Sequence, residues 1–253
     1  MGLIKMEDEM EHIERRAALQ KVFKKRSDYI QKIDRFWHIV FSQHPEFAEF
    51  VNADDFKYLE LIRDVYIKWD AAESSDYSVD PGSFSITFKF NRSEDGDFEQ
   101  QDITKSFSVE KIDGSVTKRY DDEDEIEESE KLVSSNCAIQ WPKTYDGINP
   151  SLIKDKKTTQ GKKNYRTGMK SFFGWFRWTG RKPGKEFPNG DDFAKLLSDD
   201  IFPNAVKYYT EAQRDGLDEE IDSDASEPLD LSDAENQDVD TSSRGLKRKF
   251  GDE

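Results

Sequence analysis

From Leu3 to His44 the chain contains neither proline nor glycine, so nothing local breaks a helix before Pro45. Apolar side chains recur at Met6, Met10, Ile13, Ala17, Phe23, Ile30, Ile33, Trp37 and Val40, mostly in steps of three and four, the spacing of one helix face. A continuous helix of about 35 to 40 residues would reach roughly 50 to 60 Å, longer than a small domain is wide. Such a helix cannot bury its whole stripe within its own fold, and no other stretch of the chain matches it. The economical cover is a second copy, so Met10, Ile13, Ala17, Phe23, Ile30, Ile33 and Trp37 are expected to form a homodimer seam, antiparallel or steeply crossed. Lys24 to Asp28 interrupts the apolar stripe and no strict heptad is present, which favours local packing over an extended coiled coil. The alternative is a long helix folded back on its own chain.

Composition sharpens the expectation. The chain has 253 residues and a formal charge of −16, and the acidity is concentrated: residues 121–130 hold eight acids and residues 216–240 hold eleven, with no base in either stretch. Outside those two segments the charge is slightly positive. The sequence therefore predicts a flexible acidic loop over 121–135 and a disordered acidic tail over 216–253. A net negative charge argues against nucleic acid as the primary ligand and for a basic partner. A single cysteine, Cys137, forms no internal disulfide and fits a reducing compartment. Charged Lys5, Glu7, Asp8 and Glu9 leave no apolar signal-peptide core, and no apolar run reaches the length of a membrane span.

Along the chain, Phe47, Phe50 and Val51 predict a short helical piece, and Phe56, Leu59, Ile62, Tyr66 and Trp69 predict another, capped near Asp54 or Asp55. After the Asp80-Pro81-Gly82 turn the period changes to two: Phe84, Ile86, Phe88 and Phe90 alternate with polar residues, and Ile103, Phe107 and Val109 follow a turn containing Gly96, which reads as a hairpin. Tyr120 would close a third strand and Ala138–Trp141 a fourth. Between Lys154 and Lys185 basic residues surround Phe172, Phe173, Trp175, Phe176 and Trp178. That mixture can hold phosphates and stack bases, but aromatic residues at helical spacing are more often core. A last helix follows Asn189-Gly190-Asp191, broken or kinked at Pro203. Together these predict an α+β chain: a long helix over 1–45, then a domain over 46–215 in which helices cover an antiparallel sheet. Lys247, Arg248 and Lys249 near the end read as a nuclear import cluster.

Catalysis needs a constellation that the sequence does not supply. His12, His38 and His44 are the only histidines, and none stands at ligand spacing from cysteine or carboxylate. No phosphate-binding loop is present, and paired carboxylates carry little information in so acidic a chain. Neither an enzyme nor a metal or cofactor site is expected.

Several motifs resemble one family. Ala53–Tyr58, Ser85–Phe88, Asn149–Lys156, Phe173–Gly180 and Lys207–Asp215 are similar to stretches of the nucleosome assembly protein family of histone chaperones, and the likeness runs from Glu11 to Asp215. The resemblance implies a homodimer in which long helices pair at the centre and each protomer contributes an "earmuff" domain with an acidic, histone-facing underside. It implies core-histone partners, with histones H3–H4 preferred and the histone 2A–2B pair also bound, and a fungal histone acetyltransferase that the chaperone stimulates. By position, Asp199 and Asp200 fall on the family's acidic histone-facing surface, with Asp54, Asp55, Glu211 and Asp215 as further candidates. Two rival readings stand beside it: a nucleic-acid module using 154–185, and a dimeric acidic adaptor.

Overall fold

A computed structural model describes residues 2–73, 79–112 and 129–224. The expected Tyr120 strand, the acidic segment 121–128, the tail beyond Asp224 and the basic Lys247-Arg248-Lys249 cluster lie outside these residues. In chain order the helices are α1 (Gly2–Ile30), α2 (Phe36–Gln43), α3 (Phe47–Phe50), α4 (Phe56–Leu59), α5 (Asp70–Glu73), α6 (Thr159–Met169), α7 (Phe172–Trp175), α8 (Gly190–Lys195) and α9 (Ala205–Asp224). The strands β1 (Ile62–Trp69), β2 (Phe84–Phe90), β3 (Gln101–Ile112) and β4 (Ser129–Ser134) form one antiparallel sheet in sequence order. The chain divides into two compact units, Met1–Gln213 and Arg214–Glu253. The first contains the sheet, the core and α1.

The N-terminal helix is neither continuous nor free. It stops at Ile30, Arg35 adopts a left-handed conformation (φ 54°), and α2 restarts at Phe36. No breaker residue marks this corner. Its cause is tertiary: the chain must turn to deliver Phe36, Trp37, Val40 and Phe41 into the core, where each is at most 3% exposed, and Arg35 reaches Glu60 at 2.6 Å after the turn. The second half of α1 is laid along β1. Gln20 Nε2 donates to Tyr66 OH and to Ile67 O, and its Oε1 accepts from the Trp69 N–H; Ser27 and Gln31 both donate to Asp64. Three residues expected in the dimer seam are thereby corrected: Phe23, Ile30 and Trp37 belong to the protomer's own core. Phe23 and Trp37 both pack on Phe202. Met10 and Ile33 are exposed, and Ile13 and Ala17 half-buried.

A second correction concerns Phe56–Trp69, expected as one helix. Only Phe56–Leu59 is helical, and Ile62–Trp69 is a strand. The segment satisfies both periods, since Val65, Ile67 and Trp69 also alternate, and pairing with β2 (Val65↔Phe88, Ile67↔Ile86, Trp69↔Phe84) decides between them. The β2–β3 hairpin forms as expected. Within the stretch expected as a flexible acidic loop, Ser129–Ser134 is β4, with Phe107↔Ser134 and Val109↔Leu132 in register. Ala138–Trp141 is not a strand; its Gln140 backbone is clamped by the Gln101 side chain instead.

The greasy face of β2 meets the aromatic cluster after Lys170. Phe88 lies against Phe172, Trp175 and Phe176, and Phe107 against Trp175 and Trp178. All five aromatics from Phe172 to Trp178 are buried, so they are core. Helix α6 enters this layer through Gly168, where any Cβ would sit 1.9 Å from the Ile148 carbonyl oxygen; glycine is required there by close backbone approach. On β3, buried Lys105 sends its ammonium to three carbonyls, of Ser135, Phe176 and Trp178 (2.8, 3.0 and 2.6 Å). This closes the end of the aromatic layer with a fully hydrogen-bonded cation.

Candidate functional site

Residues Leu196–Ile201 form a π-helical turn directly after α8, closed by a bond from the Phe202 N–H to Leu197 O. The wider turn places Leu197, Ser198 and Ile201 in the core while the consecutive acids Asp199 and Asp200 face outward. The two differ in how firmly they are held. Asp199 has 57% of its side chain exposed, accepts from Ser198 Oγ, and meets Arg16 at a loose 3.6 Å.

Asp200 is fixed from three sides. Oδ1 accepts from Asn204 Nδ2 at 2.8 Å and from Tyr208 OH at 2.9 Å, and Oδ2 lies 3.1 Å from Nε2 of buried His44. His44 Nδ1 accepts from the Glu46 N–H, which leaves Nε2 as the protonated nitrogen that donates to Asp200. Partial burial pushes the Asp200 carboxyl up, but the donors His44, Asn204 and Tyr208 outweigh it and hold the group below the usual carboxylate range. The acid is therefore ionised and oriented, with 42% of its side chain still open to solvent.

Tyr208 registers the charge around it. Its phenol is pushed up to about 12, first by burial, then by the hydrogen bond and charge of Asp200, then by Glu211 and Glu46. Only Asp200 touches this phenol; the charges of Glu211 on α9 and Glu46 in the link between α2 and α3 act on it without a hydrogen bond. Glu211 also meets Lys207 at 4.0 Å, one turn away on α9. Glu46, His44 and Arg16 had no sequence signal: His44 and Asp200 are 156 residues apart, and only folding brings them together.

Asp54 is exposed, whereas Asp55 is corrected from a surface acid to a buried one. It is 1% exposed, and its carboxylate accepts from Ser171 Oγ (3.0 Å) and the Phe172 N–H (2.9 Å) at the start of α7. Burial pushes its carboxyl up, partly offset by those two donors. It is an N-terminal anchor for α7 supplied from a distant segment. Asp215 is exposed on α9, nine residues short of the helix end, so α9 continues into the stretch expected to be disordered from Gly216. Among the described residues no group of three or more His, Cys, Asp or Glu is placed to hold a metal, and no helix is long and apolar enough to cross a membrane.

Comparison with known proteins agrees on one family. The family model described as nucleosome assembly protein (NAP) matches residues 4–212. Vacuolar protein sorting-associated protein 75 of Saccharomyces cerevisiae is 49% identical over 229 residues, covering 88% of this chain and 81% of that protein. A putative nucleosome assembly protein of Schizosaccharomyces pombe is 27% identical over 209 residues, covering 81% of this chain and 73% of that one. Among solved structures, that of the Vps75 histone chaperone superposes with a TM-score of 0.71 at 45% identity, covering 85% of this chain and 96% of that one.

Proposed function

This chain belongs to the nucleosome assembly protein (NAP) family of histone chaperones, and we propose that it acts as a homodimer that holds core histones on the acidic surface around Asp199 and Asp200. The observation that carries the site is the preorganised Asp200 carboxylate, ionised and fixed by His44, Asn204 and Tyr208 beside the open Asp199. Fixed anions lose little reorganisation energy when a lysine or arginine arrives, which favours a folded binding face over charge alone. Glu46 and Glu211 add exposed or half-exposed acids near that face, Asp54 adds a further exposed acid, and Asp215 and the acidic residues after it supply further charge. Histones H3–H4 are the preferred cargo, and the histone 2A–2B pair is also bound.

The chaperone competes with DNA for the basic surfaces of histones, suppresses nonspecific aggregates, and releases histones where DNA binds more productively. It has no chemistry of its own. Holding H3 for a partner histone acetyltransferase adds proximity to that enzyme's reaction and so stimulates it; the setting for both activities is the nucleus. The dimer face is the side of α1 away from β1, where Val22 is 58% and Tyr29 70% exposed seven residues apart, two turns along one face. Of the other residues expected in the seam, Met10 is exposed on α1, Ile13 and Ala17 are half-buried on a different side of that helix, and Ile33 lies beyond its end.

The direct test is a plasmid supercoiling assay with the four purified core histones and the full chain. Histone deposition that rises with chaperone concentration, with free histone–DNA aggregate falling in parallel, is the expected result. Supercoiling no better than that given by polyglutamate of equal charge would overturn the reading.

A further inference from the structure

The more open acid of the proposed histone face already has a cation beside it. Arg16 on α1 donates from Nη1 to Pro81 O at 3.1 Å, its guanidinium lies over the Trp69 ring at 5.4 Å, and Nη2 stands 3.6 Å from Asp199 Oδ1. The first two contacts hold the guanidinium in place, and its side chain is only 20% exposed. Next to Asp199 is a cavity of about 200 Å³ on whose wall the cations Arg16, Lys131 and Lys195 stand against the acids Glu130 and Asp199. That balance does not draw a further cation into the cavity. An incoming one must meet Asp199 from its outer side.

The acceptors left over on the pair are single ones. Asp199 Oδ1 accepts from Ser198 Oγ at 3.0 Å, and no donor among the described residues reaches its Oδ2. On Asp200, Oδ1 is taken by Asn204 and Tyr208 and Oδ2 by His44. A carboxylate oxygen has room for about two hydrogen bonds, so Asp200 keeps one place on Oδ2 and none on Oδ1. A guanidinium fork grips a carboxylate through both oxygens at once. Asp200 cannot accept that fork without releasing Asn204 or Tyr208. At Asp199 the second prong would enter beside the Arg16 guanidinium, where like charges repel. An ammonium is a compact point charge that needs one oxygen at a time, and Asp199 Oδ2 or the remaining place on Asp200 Oδ2 suffices for it.

We propose that the Asp199–Asp200 pair takes lysine side chains of its cargo in preference to arginine, and that Arg16 is the residue that sets this preference. The inference rests on the reading of that pair as the histone face and names the side chain it selects. Arg16 does so by standing at the oxygen a guanidinium would need second, and it makes no contact of its own with the bound ammonium. It is therefore a specificity-determining residue and not a ligand.

The test uses the full chain bound to fluorescent H3–H4 at about 150 mM salt, with oligolysine and oligoarginine of equal length as competitors. The readout is the ratio of the two competing concentrations; the acidic residues 216–240 are common to every variant and cancel in the comparison. In Arg16→Gln, oligoarginine is expected to gain about threefold to fivefold on oligolysine, the worth of one exposed charge contact. Arg16→Lys, which keeps the charge, should keep the wild-type ratio, and so should Arg15→Gln, which removes an exposed neighbouring cation. An unchanged ratio in Arg16→Gln would overturn the inference. An equal gain for both peptides would reduce Arg16 to a counter-charge, and the same shift in Arg15→Gln would reduce the effect to net charge; either overturns the assignment of specificity while leaving the histone face standing. If Asp199→Asn alters the competition of neither peptide, the pair is not the binding face, and the reading of the site falls together with this inference.

Discussion

Asp64 on β1 and Lys89 on β2 are register partners in the sheet, and their charged groups meet at 3.1 Å with Asp64 only 1% exposed. The same carboxylate oxygen accepts from Ser27 and Gln31, so one buried acid ties α1 to the sheet. Asp64→Ala removes the acceptor of three donors, and a loss of about 3 kcal/mol in urea unfolding is expected. Asp64→Asn, which keeps the shape and one acceptor oxygen, should lose less. Equal stability of Asp64→Ala and the wild type would show that α1 is held by its apolar contacts alone.

Lys105 predicts a pH effect. Burial lowers its ammonium to about 8, only partly opposed by Cys137 and Glu186. Its folded value lies below its ordinary value of 10.5, so between the two the unfolded chain binds more protons, and stability rises with pH in that window. The contribution is fully present above 10.5 and is lost as pH falls through 8. Comparing the wild type with Lys105→Met by denaturant unfolding at pH 7 and pH 10 cancels the other titrating groups. The wild type should gain on the order of 2 kcal/mol relative to the variant across that interval; a pH-independent difference would contradict the account.

Asp54 and Asp55 are adjacent in sequence and opposite in role. Asp55→Ala should destabilise the fold by about 1 to 2 kcal/mol through loss of the α7 anchor, seen as a lower Tm, with histone affinity unchanged below the transition. Asp54→Ala should leave the Tm within about 1 °C and affect only the salt-dependent part of histone binding. The reverse pattern would restore Asp55 to the surface.

Dimerisation and folding separate on α1. Val22→Glu with Tyr29→Glu should halve the mass seen by light scattering while circular dichroism stays native. Phe23→Ala, one residue along but facing Trp69 and Phe202, should lower stability by about 3 to 5 kcal/mol. A monomeric wild type would remove the dimer from the account.

These contrasts show where the sequence was legible. Alternation at Phe84–Phe90 pointed to the hairpin, because a sheet with one buried face imposes period two without ambiguity. Phe56–Trp69 satisfied two periods at once, and strand pairing, invisible locally, chose. The corner at Arg35 carries no glycine or proline and exists because four large side chains beyond it are buried. At the site, motif position pointed to Asp199 and Asp200, but their different status depends on His44 and Tyr208, and nothing local separates buried Asp55 from exposed Asp54.

A folded acidic face that recognises histones, in place of bulk charge, must lose affinity when Asp199 and Asp200 lose their charge in a chain that stays folded. The measurement that tests it is a fluorescence titration of H3–H4 into the full chain and into Asp199→Lys, Asp200→Asn, at about 150 mM salt, with lysozyme as a competitor of comparable basicity. The asparagine keeps a side-chain carbonyl to accept hydrogen bonds, so the fold is retained while the charge is lost. At least tenfold weaker binding, about 1.4 kcal/mol, is expected in a variant that is still dimeric, with poor competition by lysozyme. Unchanged affinity in the variant, or lysozyme displacing histone as well as histone itself does, would contradict it.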